Sequence, residues 1–131
     1  MSQENVEMIP MIFEAWNRGA DDHPALAEDL VTEPPAGWPE GEVLRDREAW
    51  IIQSTRLRDS WAKVRIEIQD VRAVDEERVV TSVRYIATGK ESGLSFNTPM
   101  GAIQTLRQGK VVRQQFFNSP EEAFKAVGLS T

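Results

Sequence analysis

The fold is decided by the end of the chain, AIQTLRQGKVVRQQFFNSPEEAFKAVGL, from Ala102 to Leu129. Gln108-Gly109 lies between two apolar-rich runs, and glycine readily adopts the positive φ that a tight two-residue turn requires. The runs Ile103 to Leu106 and Val111 to Phe117 are therefore predicted to pair as the antiparallel strands of one hairpin.

A short helix is predicted directly after this hairpin. Ser119 and Glu122 form a capping box, in which the hydroxyl and the carboxylate accept from N–H groups that lack helical partners. Pro120 suits the first helical position, and Gly128 predicts an end at about Val127. The acidic side chains at this helix start also complement the helix dipole, so we interpret them as structural caps and not as a catalytic pair.

Length and composition indicate one soluble globular domain spanning residues 1–131. The chain has 131 residues, of which 40% are hydrophobic and 27% are charged. These values are ordinary for a single globular domain. No apolar run approaches the roughly 20 residues of a membrane span, and the acidic, amphipathic N-terminus is unlike a signal peptide. We therefore expect no membrane association.

Charge and residue usage exclude several kinds of site. The sequence contains no cysteine, which excludes disulfides and thiolate catalysis and fits a cytoplasmic location. The net charge of −6 argues against a nucleic-acid partner, because neutralising phosphates requires a basic face. His23 is the only histidine and cannot build a multi-histidine metal site. We expect neither a metal nor a cofactor.

The N-terminal part of the chain predicts three helices. Apolar residues from Val6 to Trp16 recur at helical spacing, and Pro10 inside this pattern predicts a kink or a late start. A second helix is predicted from Pro24 to Leu30, and a third from Arg47 to about Ser60. The segment from Val31 to Leu44, rich in proline and glycine, is predicted to be an extended loop of the kind that often carries function.

Two further strands are predicted before the closing hairpin, and the first strand of the hairpin is predicted to begin well before Ile103. Apolar and polar residues alternate from Ala62 to Val74, which is typical of a strand with one wet face. One turn then leads to the run Arg78 to Gly89. A second turn leads to Leu94 to Arg107, which contains the first run of the hairpin. The predicted fold is therefore α+β: a curved antiparallel sheet of four long strands packed on three N-terminal helices, with a short C-terminal helix.

Four segments resemble the SnoaL-like branch of the NTF2-like superfamily. They are distributed from Phe13 to Leu129, so the resemblance extends over nearly the whole chain. They are FEAWNRG from Phe13, GWPEGEVLRDREAW from Gly37, TLRQGKVVRQQFF from Thr105 and PEEAFKAVGL from Pro120. The resemblance implies a cone-shaped α+β barrel with an interior pocket, assembled as a homodimer through sheet faces. It leaves the activity open, since the superfamily includes isomerases, cyclases, dehydratases, epoxide hydrolases and non-catalytic binders.

The known chemistries of this superfamily fit the matched positions poorly. Ketosteroid-isomerase-like chemistry needs a base, for which Glu33 is a candidate, and an oxyanion hole, but the matching positions hold Ile12 and Ala102. Epoxide-hydrolase-like chemistry would use Arg84 with two acids, and Ile86 and Gln115 stand where those acids would be.

For two other chemistries of the superfamily, this chain lacks the proton-transfer groups. Many SnoaL-like sequences carry a histidine or an acid at the position that matches Ala102, and the cyclases use this group for proton transfer. The scytalone-dehydratase pattern relies on histidines inside the cone, whereas His23 belongs to a polar helix start. Both mechanisms are therefore disfavoured.

The resemblance implies a pocket for a small apolar or aromatic ligand with one or two hydrogen-bonding groups. Glu33 is the candidate catalytic base and Arg84 its candidate electrostatic partner. The predicted lining comprises Phe13, Trp16, Trp50, Ile86, Met100, Ala102, Gln104, Gln115 and Phe117.

Several alternatives remain open at this point. Arg84 can instead point outward into the dimer interface or pair with a surface acid, and Gln104 can simply hydrogen-bond Gln115 across neighbouring strands. The chain is then either a dimeric binder of small molecules, with or without isomerase or cyclase activity, or a non-catalytic dimeric module. An adaptor that recruits a protein partner through its sheet is a third hypothesis.

Overall fold

The structure, a computed structural model, describes residues 2–38 and 41–129. In chain order the elements are α1 (Ser2–Asn17), β1 (Leu26–Glu33), α2 (Arg47–Ser60), β2 (Lys63–Ala73), β3 (Arg78–Thr88), β4 (Ser95–Arg107), β5 (Lys110–Phe117) and α3 (Pro120–Ala126). The strands form one five-stranded sheet in the order β1-β5-β4-β3-β2. β1 pairs with β5 in parallel, and the other pairs are antiparallel. The predicted mixed α+β class is confirmed.

The predicted closing hairpin is confirmed. Arg107 pairs with Lys110 across the turn, and β4 and β5 run antiparallel from there. Both turn residues have positive φ, 53° at Gln108 and 76° at Gly109. This geometry matches the right-handed twist of the two strands, and a glycine at the second position accepts it without strain.

The predicted caps of α3 are also present. The Glu122 N–H donates to Ser119 Oγ at 3.2 Å, and the Asn118 N–H donates to Glu122 Oε2 at 3.2 Å. Gly128, with φ of 77°, follows the end of the helix. Because all three features are local, the sequence predicts this helix well.

Two of the three predicted N-terminal helices are confirmed. α1 begins at Ser2 and continues through Pro10, so the late start considered for this helix is wrong. Its end is tied to β2, since Asn17 Nδ2 donates to Ile66 O and Asn17 Oδ1 accepts from the Ile66 N–H, both at 2.8 Å. α2 is capped by Asp46, whose Oδ1 accepts from the Ala49 N–H at 2.7 Å.

The predicted helix from Pro24 to Leu30 is wrong, because this part of the chain belongs to β1. Leu26 and Leu30 are buried four residues apart, a spacing that a helix would also produce. Parallel pairing with β5, which joins residues distant in sequence, selects the strand instead. The sheet therefore has one strand more than predicted, and two helices rather than three precede β2.

The segment predicted as a loop from Val31 to Leu44 is partly strand. β1 extends to Glu33, and an isolated bridge between Thr32 and Leu44 brings the chain back beside it. Residues 39 and 40 of that predicted loop lie outside the described part of the chain.

Apolar side chains cover both faces of the sheet. The inner face packs against α1 through a large buried cluster that includes Ile9, Trp16, Val83 and Met100. The outer face packs against α3 through Val80, Ile103, Ala123 and Phe124. No helix in the described residues is both long and apolar enough to span a bilayer.

Candidate functional site

A cavity of about 670 Å³ opens on the inner face of the sheet, between α1, α2 and the segment that follows β1. This volume lies within the range of small-molecule sites. The described residues that line it are Trp16, Thr32, Pro34, Pro35, Trp38, Glu42, Leu44, Trp50, Gln53, Leu57, Ser60, Trp61, Ile66, Val83, Tyr85, Phe96, Thr98, Met100 and Phe116. We refer to it as the aromatic cavity.

The cavity collects most of the large aromatic side chains of the protein. The sequence has four tryptophans and one tyrosine, and all of them line it. Several are held in place by one another. Trp50 and Phe116 stack with their centroids 6.3 Å apart, whereas edge-to-face contacts join Trp38 to Tyr85 at 5.9 Å and Trp61 to Phe96 at 5.7 Å. Such contacts give the cavity rigid, flat walls suited to planar molecules.

Trp16 is fixed from two sides. Its Nε1 donates to Ser54 Oγ of α2 at 3.0 Å. The guanidinium of Arg58 lies over the indole at 4.7 Å, donates to the Trp16 backbone carbonyl at 2.8 Å and forms an ion pair with Asp21. The charge of Arg58 is therefore compensated by Asp21, outside the cavity lining, while the guanidinium holds the Trp16 ring in place.

Tyr85 carries a hydroxyl among these aromatic walls. Burial raises its pKa to about 12, and a hydrogen bond from the Trp61 side chain opposes that shift only in part. Near neutral pH the phenol is therefore uncharged and can donate a hydrogen bond.

The lining has little charge. Its polar members are Thr32, Glu42, Gln53, Ser60, Tyr85 and Thr98 among the residues described. Glu42 is the only carboxylate in this set, and it is exposed. The set contains no lysine, arginine or histidine. Within residues 2–38 and 41–129, no group of three or more His, Asp or Glu side chains is placed to hold a metal ion.

Six of the predicted lining residues lie on the inner side of the sheet. Trp16, Trp50 and Met100 line the aromatic cavity itself. Phe13, with 4% of its surface exposed, and Ala102, with 0%, are instead packed into the core and do not line the cavity.

The prediction that Arg84 and Ile86 face the pocket is wrong, whereas the alternative that Arg84 points outward agrees with the structure. In β3, Val83 and Tyr85 line the cavity, and alternate residues of a strand point to opposite faces. Arg84 therefore lies on the outer face, where its Nη1 donates to Asn97 Oδ1 at 3.0 Å. A shift of one residue reverses the face of every side chain in a strand.

The proposed pair of Glu33 with Arg84 is also wrong. Glu33 Oε2 accepts from Nε of Arg113 at 2.5 Å, so this carboxylate is paired with a cation of β5. Its neighbours Thr32 and Pro34 line the cavity, whereas Glu33 does not. No direct acid–base cooperation between Glu33 and Arg84 can follow from this geometry.

The predicted lining by Gln115 and Phe117 is displaced by one residue along β5. Phe116 lines the cavity, whereas Phe117 packs with the α3 cluster on the outer face. Similarly, the residue opposite Gln104 on β5 is Gln114, so the predicted Gln104–Gln115 hydrogen bond is wrong. Gln104 is buried on the inner face, and its Oε1 accepts from Thr81 Oγ1 at 2.8 Å.

Sequence reasoning missed Tyr85, Trp38, Trp61 and Phe96. Trp38 could have been identified, because it is an aromatic residue in the segment that was predicted to be a functional loop. Tyr85 follows Val83 at a spacing of two, which would have placed it inward had the face of β3 been assigned correctly. The positions of Trp61 and Phe96 depend on contacts between distant elements, which periodicity does not reveal.

Comparisons of structure show that other proteins share this fold. A protein from Catenulispora acidiphila with a ketosteroid-isomerase-like fold, solved in complex with trimethylamine, has a TM-score of 0.74 and 18% identity, covering 94% of this chain and 93% of its own. A candidate polyketide cyclase from Xanthomonas campestris has a TM-score of 0.73 and 24% identity, covering 97% and 98%. A candidate SnoaL-like polyketide cyclase from Jannaschia has a TM-score of 0.76 and 15% identity, covering 99% and 95%.

Comparison of the sequence identifies the family. A search of curated protein sequences finds no significant match. The family model described as the SnoaL-like domain matches residues 11–114, which is most of the chain. The chain therefore belongs to the SnoaL-like domain family.

Proposed function

We propose that this protein binds a small, neutral aromatic molecule in the aromatic cavity. The observation that carries this proposal is the concentration of all four tryptophans and the single tyrosine around one cavity of about 670 Å³. Flat aromatic walls recognise planar ligands through stacking and edge-to-face contacts, which favour them over flexible aliphatic chains.

The charge of the lining argues against an anionic ligand. Its described members include no basic side chain, and the nearest carboxylate of the set, Glu42, would repel an anion. Burying an anionic group without a cation or several donors is costly, so acids should bind weakly. The net charge of −6 also disfavours the binding of anions, and it acts over a longer range.

The size of the cavity and one relative support a small-molecule function. A volume of about 670 Å³ accommodates a ligand of two or three fused rings within the usual range of such sites. The Catenulispora protein was solved with trimethylamine, a small organic molecule.

A second function is isomerisation or cyclisation of the bound molecule. It is favoured by the neutral hydroxyl of Tyr85 inside the cavity, since a phenol with a raised pKa can polarise a carbonyl by donating to it. The carboxylate of Glu42 is the only acid of the described lining that could act as a base. In this case Tyr85→Phe would abolish turnover while leaving ligand binding measurable.

The experiment that tests binding compares two probes of similar shape and different charge. We expect 2-acetylnaphthalene to bind about tenfold or more tightly than 2-naphthoate, measured by isothermal titration calorimetry at neutral pH. Thr98 lines the cavity and is exposed, so Thr98→Lys should raise the affinity for 2-naphthoate.

The matched control is Asn97→Lys, on the same strand and the opposite face. It adds the same charge outside the cavity, next to the Arg84 hydrogen bond. Equal gains in naphthoate affinity from both lysines would contradict the proposal, as would tighter binding of the anion than of the ketone by the unmodified protein.

A further inference from the structure

Beyond the aromatic residues, the inner face of the sheet carries a line of uncharged polar side chains. Thr32 of β1 is in register with Gln114 of β5, and Gln114 is in register with Gln104 of β4. Thr81 of β3 lies next to them and contacts Gln104. We call these four residues the polar row.

The polar row is buried. The exposed fractions are 3% for Thr32, 3% for Gln114, 1% for Gln104 and 0% for Thr81. Glutamine is seldom buried to this extent, because each amide brings two donors and one acceptor that need partners. The buried polar groups of the row therefore need hydrogen-bond partners inside the protein.

Two hydrogen bonds satisfy part of the row. Gln114 Nε2 donates to Thr32 Oγ1 at 2.9 Å, and Thr81 Oγ1 donates to Gln104 Oε1 at 2.8 Å. Gln104 Nε2 is a buried donor with no acceptor among the described residues. Buried donors without partners are rare in native proteins, and a ligand atom or a bound water commonly supplies the acceptor.

The row is connected to the aromatic cavity through Thr32, which belongs to the lining. Because Thr32 Oγ1 already accepts from Gln114, its own proton is left for donation. Phe116, two residues after Gln114 and on the same face of β5, also lines the cavity. Thr32 is therefore the member of the polar row that lines the cavity, whereas Gln114, Gln104 and Thr81 are buried behind it.

We propose that the polar row binds a carbonyl oxygen carried by the end of the ligand that enters deepest. The Thr32 hydroxyl donates to this oxygen, and Gln114 holds the hydroxyl in place. Gln104 Nε2 is buried outside the lining, so it supplies a second donor through one bound water. The two groups assigned to the ligand, the Thr32 hydroxyl and Gln104 Nε2, act as donors, which selects an acceptor such as a ketone over an amine. This inference rests on the proposed function, and it narrows the ligand class to aromatic ketones.

A purely structural role for the row makes a different prediction. In that case the two threonine–glutamine pairs only join β1 to β5 and β3 to β4, and a ligand does not sense them. Removing the Thr32 hydroxyl would then change stability and leave the ligand preference unaltered. The two accounts are separated by measuring preference rather than affinity alone.

The test uses 2-acetylnaphthalene and 2-ethylnaphthalene, which have similar shapes but differ in the carbonyl oxygen. The dissociation constant of each is measured by equilibrium dialysis for the unmodified protein and for Thr32→Val. Taking the ratio of the two constants cancels the difference in hydrophobicity between the probes. We expect Thr32→Val to shift this ratio against the ketone by about tenfold, the effect of one neutral hydrogen bond.

Three other variants complete the design. Thr32→Ser keeps the hydroxyl and should keep the ratio. Gln104→Leu removes the spare donor independently of Thr32 and should shift the ratio in the same direction. Gln115→Leu removes an amide from the other face of β5 and should leave the ratio unchanged. Circular dichroism verifies that each variant is folded.

The outcomes distinguish this inference from the proposed function. If both probes bind and Thr32→Val and Gln104→Leu leave the ratio unchanged, the carbonyl site is contradicted while aromatic binding stands. If the folded, unmodified protein binds neither probe, the proposed function fails, and the inference fails with it. A shift of equal size in Gln115→Leu would also contradict the carbonyl site.

Discussion

Tyr85 is the only tyrosine of the chain, so its ionisation can be followed without interference from another phenol. Burial raises its pKa from 10.0 to about 12 in the folded protein. We expect the ultraviolet absorbance of tyrosinate to appear with a midpoint near pH 12 in the folded state, and near pH 10 when urea unfolds the chain. A folded-state midpoint near pH 10 would contradict the burial of this hydroxyl.

The same shift sets a pH dependence of stability. The folded state favours the protonated phenol, so the contribution of Tyr85 is fully present below pH 10 and is lost as the pH rises towards about 12. Urea denaturation across this window should therefore show a falling free energy of unfolding, and Tyr85→Phe should reduce the slope. If the free energy of unfolding of Tyr85→Phe falls with the same slope, other groups cause the loss of stability.

At the scale of elements, α3 packs so closely on β4 that only glycine fits at position 101. A Cβ added at Gly101 would lie 2.6 Å from the Cβ of Ala123 and 2.8 Å from the backbone oxygen of Ser119. We expect Gly101→Ala to lower the free energy of unfolding by about 1–3 kcal/mol, the usual cost of overpacking, in urea denaturation.

The matched control for this prediction removes the opposing methyl group. Gly101→Ala combined with Ala123→Gly should recover part of the loss, because the Ser119 oxygen and the Pro120 Cα remain close. An undiminished loss in the double variant would show that the Ala123 contact is not the cause. Unchanged stability in Gly101→Ala alone would contradict the described docking of α3.

Elements governed by local chemistry were predicted well. The turn at Gln108-Gly109 and the Ser119 cap need only residues adjacent in sequence, and both are present as expected. β1 was mistaken for a helix because Leu26 and Leu30 are spaced alike in both structures, while the parallel pairing with β5 is made with residues far along the chain. Such pairings override local preference and leave little trace in periodicity.

The candidate site was predicted less well than the fold, for a reason that concerns the two faces of the sheet. Apolar residues cover the inner face beside the cavity and the outer face beneath α3, so alternation alone does not identify the inward side. Phe116 and Phe117 are indistinguishable on this criterion, and Arg84 and Ile86 were assigned to the wrong face. Trp16 and Trp50 were placed correctly, and both lie on helices that were predicted as such.

At the scale of the whole molecule, assembly and location remain predictions. A homodimer formed through sheet faces and a cytoplasmic location are expected from the sequence and its resemblance. The adaptor hypothesis is likewise untested. The aromatic cavity lies on the inner face, whereas Arg84 and Asn97 lie on the other side of the sheet. A partner on that outer side would therefore leave the inner face available to a ligand.

The central claim is that the aromatic cavity is the binding site, and blocking it tests this most directly. Calorimetric titration of 2-acetylnaphthalene is compared for the unmodified protein, for Thr98→Trp, which fills the cavity, and for Asn97→Trp, which adds the same bulk to the outer face. We predict a loss of affinity of about tenfold or more in Thr98→Trp and a change within about twofold in Asn97→Trp. Equal affinities for all three folded proteins, or no binding by any of them, would contradict the claim.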